Sequence, residues 1–361
     1  ALTGGNKGSL GQIIEESVLK YAINSDAAPD IHIGDTSYEL KVTPLKHIKK
    51  GKQTSAKERL VIDIINYLTL ADETDFESSK MWDKAKNIIL VYYYDDRTDK
   101  KKELRIDCKV LASYLMKYEA DDLATIKNDW HVIRDKVASG HADSLSESDT
   151  NYLAACTKGA NSKQLREAPA PAGANTATIF AKQRAFSLKT SYMTAIARKL
   201  LNRKSETVRL PIPQEQNLDE YVAAKFIPYT GKSSRDIASE LQVSAAPTAK
   251  NYNSSLAFAM LGASKSSISK IEQFSKANIS QFKSVTIYPD GLPREHMSFK
   301  AITDDQWRNG PIPKHMGTVI RTRLLRNQQV PIMVSKSPIP YQSGHDKAKD
   351  DFQRCIPLEY A

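Results

Sequence analysis

Cysteine is scarce in this sequence, and long apolar runs are missing. The 3 cysteines among 361 residues, Cys108, Cys156 and Cys355, are odd in number and far apart. No Cys-x-x-Cys pair occurs, which excludes a zinc ribbon and argues against a disulfide framework; a reducing cytoplasm fits best. No apolar stretch approaches the ~18 residues of a membrane span, and none has the layout of a secretory signal. The expectation is a cytoplasmic protein without a membrane partner. The chain begins at Ala1 rather than at a methionine, which leaves room for a native stretch ahead of it. Acidic charge is outweighed: 52 Lys and Arg stand against 42 Asp and Glu, a formal +10. Such an excess favours a polyanionic partner such as nucleic acid, although an ordinary basic surface has the same composition. At 361 residues and 40% hydrophobic content, two domains with real cores are expected.

Periodicity predicts an amphipathic helix over Ser9 to Ala22, with Leu10, Ile13, Ile14, Val18 and Tyr21 on one arc. Two short strands, 28–34 and 36–43, flank the turn Gly34-Asp35. Arg59 to Leu70 reads as a second amphipathic helix, and Asn87 to Tyr94 (NIILVYYY) as a buried strand. Residues 107–139 look helical, and Glu167 to Ala177 reads as a Pro/Ala/Gly-rich loop. A strand at Ala185 to Lys189 precedes a helix from Ser191 to Leu201. A polar, proline-bearing stretch over 203–217 marks the domain boundary, giving domains at 1–207 and 215–361. The second half partly repeats the first. Lys7 to Glu15 aligns without gaps on Lys232 to Glu240, and Glu39-Leu40-Lys41 aligns on Gln281-Phe282-Lys283.

Chemistry concentrates between Asp30 and Lys41. Side chains alternate along a strand, so Glu39 and Lys41 share a face. The turn at Gly34-Asp35 can bring Asp30 alongside Glu39. Two carboxylates that close repel unless a cation sits between them. Mg²⁺ suits such a site, because it takes one or two carboxylates, keeps waters and accepts a phosphate oxygen. Lys41 can then orient or help deprotonate a water and offset charge on the transition state. Glu15 falls inside the apolar arc of its helix, where a shared metal site is one reason for a carboxylate; a glutamate snorkelling at the helix edge is the other. A solvated hairpin with alternating charges would contain the same strand residues.

The run Lys7 to Glu16 (KGSLGQIIEE), Pro29-Asp30 and Tyr38 to Pro44 (YELKVTP) resembles the MutH-like nucleases, in particular the Sau3AI-type restriction endonucleases. Further blocks follow in collinear order: Lys84 to Leu90, Asp129-Trp130 through Gly140, Tyr152 to Asn161, and Arg184 to Lys189 with the helix after it. The resemblance implies an α/β fold of two tandem MutH-like domains, each a mixed central sheet flanked by helices. It also implies Mg²⁺-dependent hydrolysis of both strands of duplex DNA at GATC, within a restriction-modification system. The catalytic set is then Glu15, Asp30, Glu39, Lys41 and Lys86, with Lys84 the alternative to Lys86, and with Glu15, Asp30 and Glu39 holding the metal. Lys158 falls on a base-reading lysine, and a lysine can donate to guanine O6 and N7. Arg184, Ser187 and Lys189 belong to the DNA-binding set, the two cations setting register on phosphates. Three departures stand out. Tyr38 replaces a valine, Cys156 stands where the family carries an arginine, and a longer Asp-to-Glu spacing leaves Asp35 as an alternative to Asp30.

Phe274 to Ile279, Glu295 to Phe299 and Cys355 to Tyr360 resemble the second half of the restriction enzymes. In the repeat Glu240 and Lys283 persist, but Gln281 stands where a metal-binding glutamate is needed. An amide cannot supply the charge that draws in Mg²⁺. The expectation is a degenerate nuclease domain that binds a second GATC site as an effector, through dimerisation or looping of DNA, or one that is only architectural. A mismatch-repair-type nickase acting at GATC and a non-catalytic GATC-binding protein are the competing functions.

Overall fold

The computed structural model describes residues 31–48, 53–96, 108–159, 164–201, 207–263, 268–287 and 319–325. The helix expected over Ser9 to Ala22, and with it Glu15 and Asp30, lies outside the described residues.

Two larger sheets and a separate two-stranded hairpin carry the described residues up to 201. The larger has the order β1 (Ile31–Ile33), β2 (Thr36–Ile48), β5 (Ile88–Tyr94), β6 (Val110–Leu115), with β3 (Gln53–Ala56) also pairing on β2. β2 and β5 run parallel, with Glu39 opposite Ile88 and Leu45 opposite Tyr94. Parallel neighbours need covered faces, and β5 supplies them: Ile88, Leu90 and Tyr92 are buried on one face and Val91 and Tyr93 on the other. The β1–β2 hairpin turns at Gly34-Asp35, where Gly34 has φ +59. That positive φ suits glycine, which has no Cβ to clash.

The smaller sheet has the order β4 (Leu60–Ile64), β10 (Arg184–Leu188), β7 (Leu153–Thr157), all antiparallel. A hairpin of β8 (Leu165–Pro169) and β9 (Thr178–Lys182) lies beside it. Around the sheets pack α1 (Tyr67–Asp72), α2 (Lys80–Ala85), α3 (Ala120–Ala138) and α4 (Thr190–Leu200). The Asp129-Trp130…Gly140 block is explained by packing. The buried Asp129 carboxylate accepts the backbone N–H groups of Asn151, Tyr152 and Leu153 at 2.7, 2.6 and 2.9 Å, fixing the entry of β7. Trp130 is fully buried against Phe76. At Gly140, φ is +83 and an added Cβ would meet the Pro171 nitrogen at 2.1 Å, so the loop before β9 closes directly over the glycine.

Three sequence expectations are corrected. Arg59 to Leu70 is strand β4, then α1, because Leu60 and Ile62 point into the core at a spacing of two and Asn66 caps α1 through Thr69 N–H. Residues 107–139 begin with strand β6 at the sheet edge before α3 starts. The first part of Glu167 to Ala177 belongs to β8. Strand β5, strand β10 and helix α4 fall where the sequence places them.

The second half contributes α5 (Leu218–Phe226), α6 (Ser234–Glu240), α7 (Tyr252–Met260), α8 (Glu272–Lys276) and the parallel pair β11 (Gln281–Ile287) and β12 (Val319–Leu325). Its buried apolar residues, Leu210 to Ile279, join the same cluster as Trp130, Tyr152 and Tyr192. A polar seam crosses that cluster. Asp122, at the start of α3, binds Lys276 of α8 through both carboxylate oxygens, at 2.8 and 2.7 Å, and accepts Tyr192 O–H at 3.2 Å. Lys276 also meets Glu272 at 2.7 Å. Gln273 donates to Asp121 at 3.1 Å and exchanges two 3.0 Å bonds with the backbone of Leu210. Arg209 bridges Asp121 and Glu272.

Candidate active site

Glu39 and Lys41 stand on one face of β2, as their spacing requires. Lys41 Nζ donates to Glu39 Oε1 at 2.5 Å, and the side chains are 21% and 14% exposed. The pair is sheltered yet reachable. Its backbone is clamped from behind: Glu39 N–H donates to the Asn87 carbonyl at 2.9 Å, and Asn87 Nδ2 donates to the Ser37 carbonyl at 3.2 Å. The junction between α2 and β5 therefore fixes the height of the pair. Ile31, the first described residue of β1, pairs with Tyr38, the neighbour of Glu39. The chain thus enters the hairpin one residue from the level of Glu39. Asp35 is exposed at the hairpin tip, four residues along the strand from Glu39 and roughly 13 Å away at strand rise. It cannot share the site, which removes it as the alternative carboxylate.

Lys86 directly precedes Asn87, so its backbone sits at the same junction. Its ammonium pairs with Asp83 at 2.6 Å, on an exposed flank. An exposed i,i+3 pair of this kind is worth little, so Lys86 can be redirected at low cost. Lys84 is 3.4 Å from Asp63 of β4 and belongs to a different cluster. Glu39 is a hard oxygen donor of the type Mg²⁺ takes, and Lys41 beside it suits a phosphate oxygen. Among the described residues no group of three or more His, Cys, Asp and Glu is assembled. The other two carboxylates of the expected set, Glu15 and Asp30, lie outside them.

The expected DNA-binding residues divide. Lys158 is exposed just past the end of β7, and its backbone N–H is fixed to the Gln183 carbonyl at 3.0 Å. Arg184 is half-buried and donates from Nη1 to the Ala155 carbonyl at 2.8 Å. Lys189, at the N-terminus of α4, reaches the Thr150 carbonyl. Ser187 is a correction: it is fully buried and its hydroxyl points to the Ala154 carbonyl at 3.4 Å, so it packs the sheet and is closed to DNA. In the second half, Glu240 at the end of α6 pairs with Lys232 at 2.5 Å on the surface. Gln281 and Lys283 lie on β11. The register there reproduces the first half, with Gln281 opposite Val319 in a parallel pair as Glu39 is opposite Ile88.

A family model described as "DNA mismatch repair enzyme MutH" matches residues 19–129. The type II restriction enzyme Sau3AI of Staphylococcus aureus is 34% identical over 336 residues, covering 89% of this chain and 66% of that protein. The chain is similar to the MutH-like, Sau3AI-type nucleases over most of its own length. It spans just under two thirds of the length of that restriction enzyme. A DNA mismatch repair protein MutH of Shewanella woodyi is 27% identical over 192 residues, 53% of this chain and 76% of that protein. A second, from Shewanella sp. strain MR-7, is 26% identical over 197 residues, 54% of this chain and 80% of that protein. The mixed sheet with flanking helices is the MutH-like restriction-endonuclease fold.

Proposed function

We propose that this chain is a Mg²⁺-dependent type II restriction endonuclease that cuts both strands of duplex DNA at GATC and leaves 5′-phosphates. The observation that carries the reading is the sheltered Glu39–Lys41 pair, set one residue from the β1 entry in a chain similar to the Sau3AI-type nucleases. Glu15, Asp30 and Glu39 would hold the metal. When bound, Mg²⁺ polarises the scissile phosphate and lowers the pKa of a bound water. Lys41 positions that water through its ammonium and offsets the negative charge growing on the phosphate oxygens. Glu39 holds Lys41 in place, and Lys86 adds a second cation once it releases Asp83. Lys158 reads bases, while Arg184 and Lys189 set register on phosphates. The work is cytoplasmic, and among the described residues no helix is long and apolar enough to cross a membrane.

The test is Glu39→Gln. It should abolish cleavage in Mg²⁺ while duplex binding stays within a few-fold. Undiminished cutting would refute the site assignment. A nickase reading has support from the two repair relatives. Those relatives cover only about half of this chain, whereas the restriction enzyme covers nearly all of it. Persistent nicked circles without linear product, on a plasmid with one GATC, would decide for the nickase.

The domains are 1–207, catalytic, and 215–361, a degenerate copy that binds a second GATC site. The repeated register at Gln281 supports a shared ancestry, and the amide there supports loss of metal binding. Two linked binding units raise each other's effective concentration on DNA. Adding a short GATC duplex to the full chain should therefore stimulate cleavage of a one-site plasmid. Cleavage independent of added duplex would make the effector role wrong.

A further inference from the structure

The β1–β2 hairpin divides its residues between two faces. Ile31, Tyr38, Leu40 and Val42 pack with Ile89 and Val91 in a small apolar cluster of their own. His32 is paired with Ser37 across the strands, and side chains directly opposite share a face. Alternation carries that face on to Glu39 and Lys41. His32, Ser37, Glu39 and Lys41 therefore form one polar line. Ser37 Oγ and His32 Nδ1 share a hydrogen bond of 2.9 Å, which ties the line across the hairpin.

Asn87 holds this line from the neighbouring strand. It is half-buried and stands between Lys86, the cap of α2, and Ile88, the first residue of β5. The parallel ladder of β2 and β5 begins at Glu39 opposite Ile88. Before that pair the chain belongs to α2, and the backbone of β5 offers nothing further to β2. The Asn87 side chain extends the ladder instead. Its Nδ2 donates to the Ser37 carbonyl at 3.2 Å, while its own carbonyl accepts Glu39 N–H at 2.9 Å. The two bonds bracket Tyr38, the residue before Glu39. The junction is itself anchored. Lys86 N–H donates to the Trp82 carbonyl at 2.8 Å, Tyr118 O–H to the Ala85 carbonyl at 2.9 Å, and Met116 N–H to the Ile88 carbonyl at 2.8 Å.

We propose that Asn87 is a positioning residue for the Glu39–Lys41 pair: it sets β2 through Ser37 and Glu39 and, through the Ser37–His32 bond, sets β1 with it. The inference rests on the DNA-cutting reading above. In that reading the working groups come from three chain segments. Lys86 precedes Asn87, Glu39 and Lys41 lie on β2, and Asp30 immediately precedes β1 in the sequence. One amide and one hydroxyl link all three segments. In-line chemistry tolerates little misplacement, since a shift of about 1 Å can cost about 100-fold in rate. Metal ligands depend on the outer groups that orient them. The sheet as a whole is already held by the ladder from Glu39 to Leu45. The extra bond from Asn87 falls at the one end of that ladder where the pair stands.

The experiment compares Asn87→Ala and Asn87→Asp with the full-length wild type. Single-turnover cleavage of a GATC duplex, duplex binding, Mg²⁺ binding by calorimetry and urea unfolding are measured on each. The aspartate keeps the shape of Asn87 but has no donor for the Ser37 carbonyl. Both variants should cut about 10- to 100-fold more slowly, with duplex affinity within a few-fold and the unfolding midpoint near wild type. Asn87→Ala should also weaken Mg²⁺ binding by a similar factor. An unchanged rate in Asn87→Asp, or a lowered midpoint with the rate intact, would mark the bond as structural and overturn the proposal. Ser37→Ala removes only the tie to His32 and leaves the carbonyl that Asn87 holds. It should weaken Mg²⁺ binding, and Ser37→Thr, which keeps the hydroxyl, should restore it. Equal Mg²⁺ binding by Ser37→Ala and the wild type would overturn the link to β1. If the wild type cuts no GATC duplex, the DNA-cutting reading fails by itself. The calorimetry then decides on Asn87: equal Mg²⁺ affinity in the wild type and Asn87→Ala would overturn its positioning role.

Discussion

Two lysine–carboxylate pairs in this protein are similar in length and opposite in access. Lys41 meets Glu39 at 2.5 Å, and Lys276 meets Asp122 at 2.7 Å. In the first pair the side chains keep 21% and 14% of their surface open. In the second both are at 4%, and both carboxylate oxygens are bound, with Tyr192 O–H added. A pair closed on every side is part of the fold, because nothing further can reach it. A pair left partly open keeps acceptor capacity for a cation or a phosphate. Distance therefore says little about what an ion pair does; the surrounding access decides.

The comparison can be broken first at the closed pair. Lys276→Met strands the Asp122 carboxylate in the interior and should cost about 3–5 kcal/mol, read as a fall in the urea midpoint. Adding Asp122→Asn removes the stranded charge and should recover most of that loss. If the double variant is as unstable as the single one, the seam is not governed by an unpaired charge. Burial pushes the Asp122 carboxyl above its ordinary value, with Lys276 pulling against it. The folded state therefore binds the extra proton more readily than the unfolded one, and stability from this group falls as pH rises through the folded pKa. The penalty of Lys276→Met should accordingly shrink as pH is lowered through the carboxylate range.

The open pair should respond in rate rather than in stability. Lys41→Met should lower cleavage about 100- to 1,000-fold, with an unfolding midpoint near wild type. A large loss of stability with cleavage retained would reverse the assignment of the two pairs. The smallest effect belongs to an exposed pair, Lys199 with Glu119 at 2.7 Å. The hydrogen bond from Lys199 holds the Glu119 carboxyl below its ordinary value. Its contribution is present above the unfolded carboxylate pKa and lost as pH falls through the folded one. Lys199→Ala should cost about 0.2–1 kcal/mol at neutral pH after solvent screening, and nothing in acid. A cost that grows in acid would contradict the sign.

The legible parts of the sequence were those where one physical signal had no rival. The run from Ile88 to Tyr94 could only be a buried strand, and the Glu39–Lys41 spacing forced a shared face. The misread parts carried two signals at once. Leu60, Ile62, Ile65 and Leu70 satisfy a helical arc as well as a strand followed by a helix, and Asn66 decides only once its cap is seen. The family resemblance set Ser187 among the DNA-binding residues, yet alternation on β10 turns it into a buried face. The seam was invisible for another reason. Asp122 and Lys276 are 154 residues apart, and no local pattern links them.

That separation has a consequence for how the protein is made. Asp122 emerges from the ribosome long before its counter-ion. Until Lys276 has been synthesised and α8 has docked, the start of α3 carries a carboxylate that the interior cannot accept without cost. The first half, with the Glu39–Lys41 pair in it, therefore lacks the counter-ion of Asp122 while the chain is growing. Completion of the second half closes the seam, so a truncated translation product should be the less stable one.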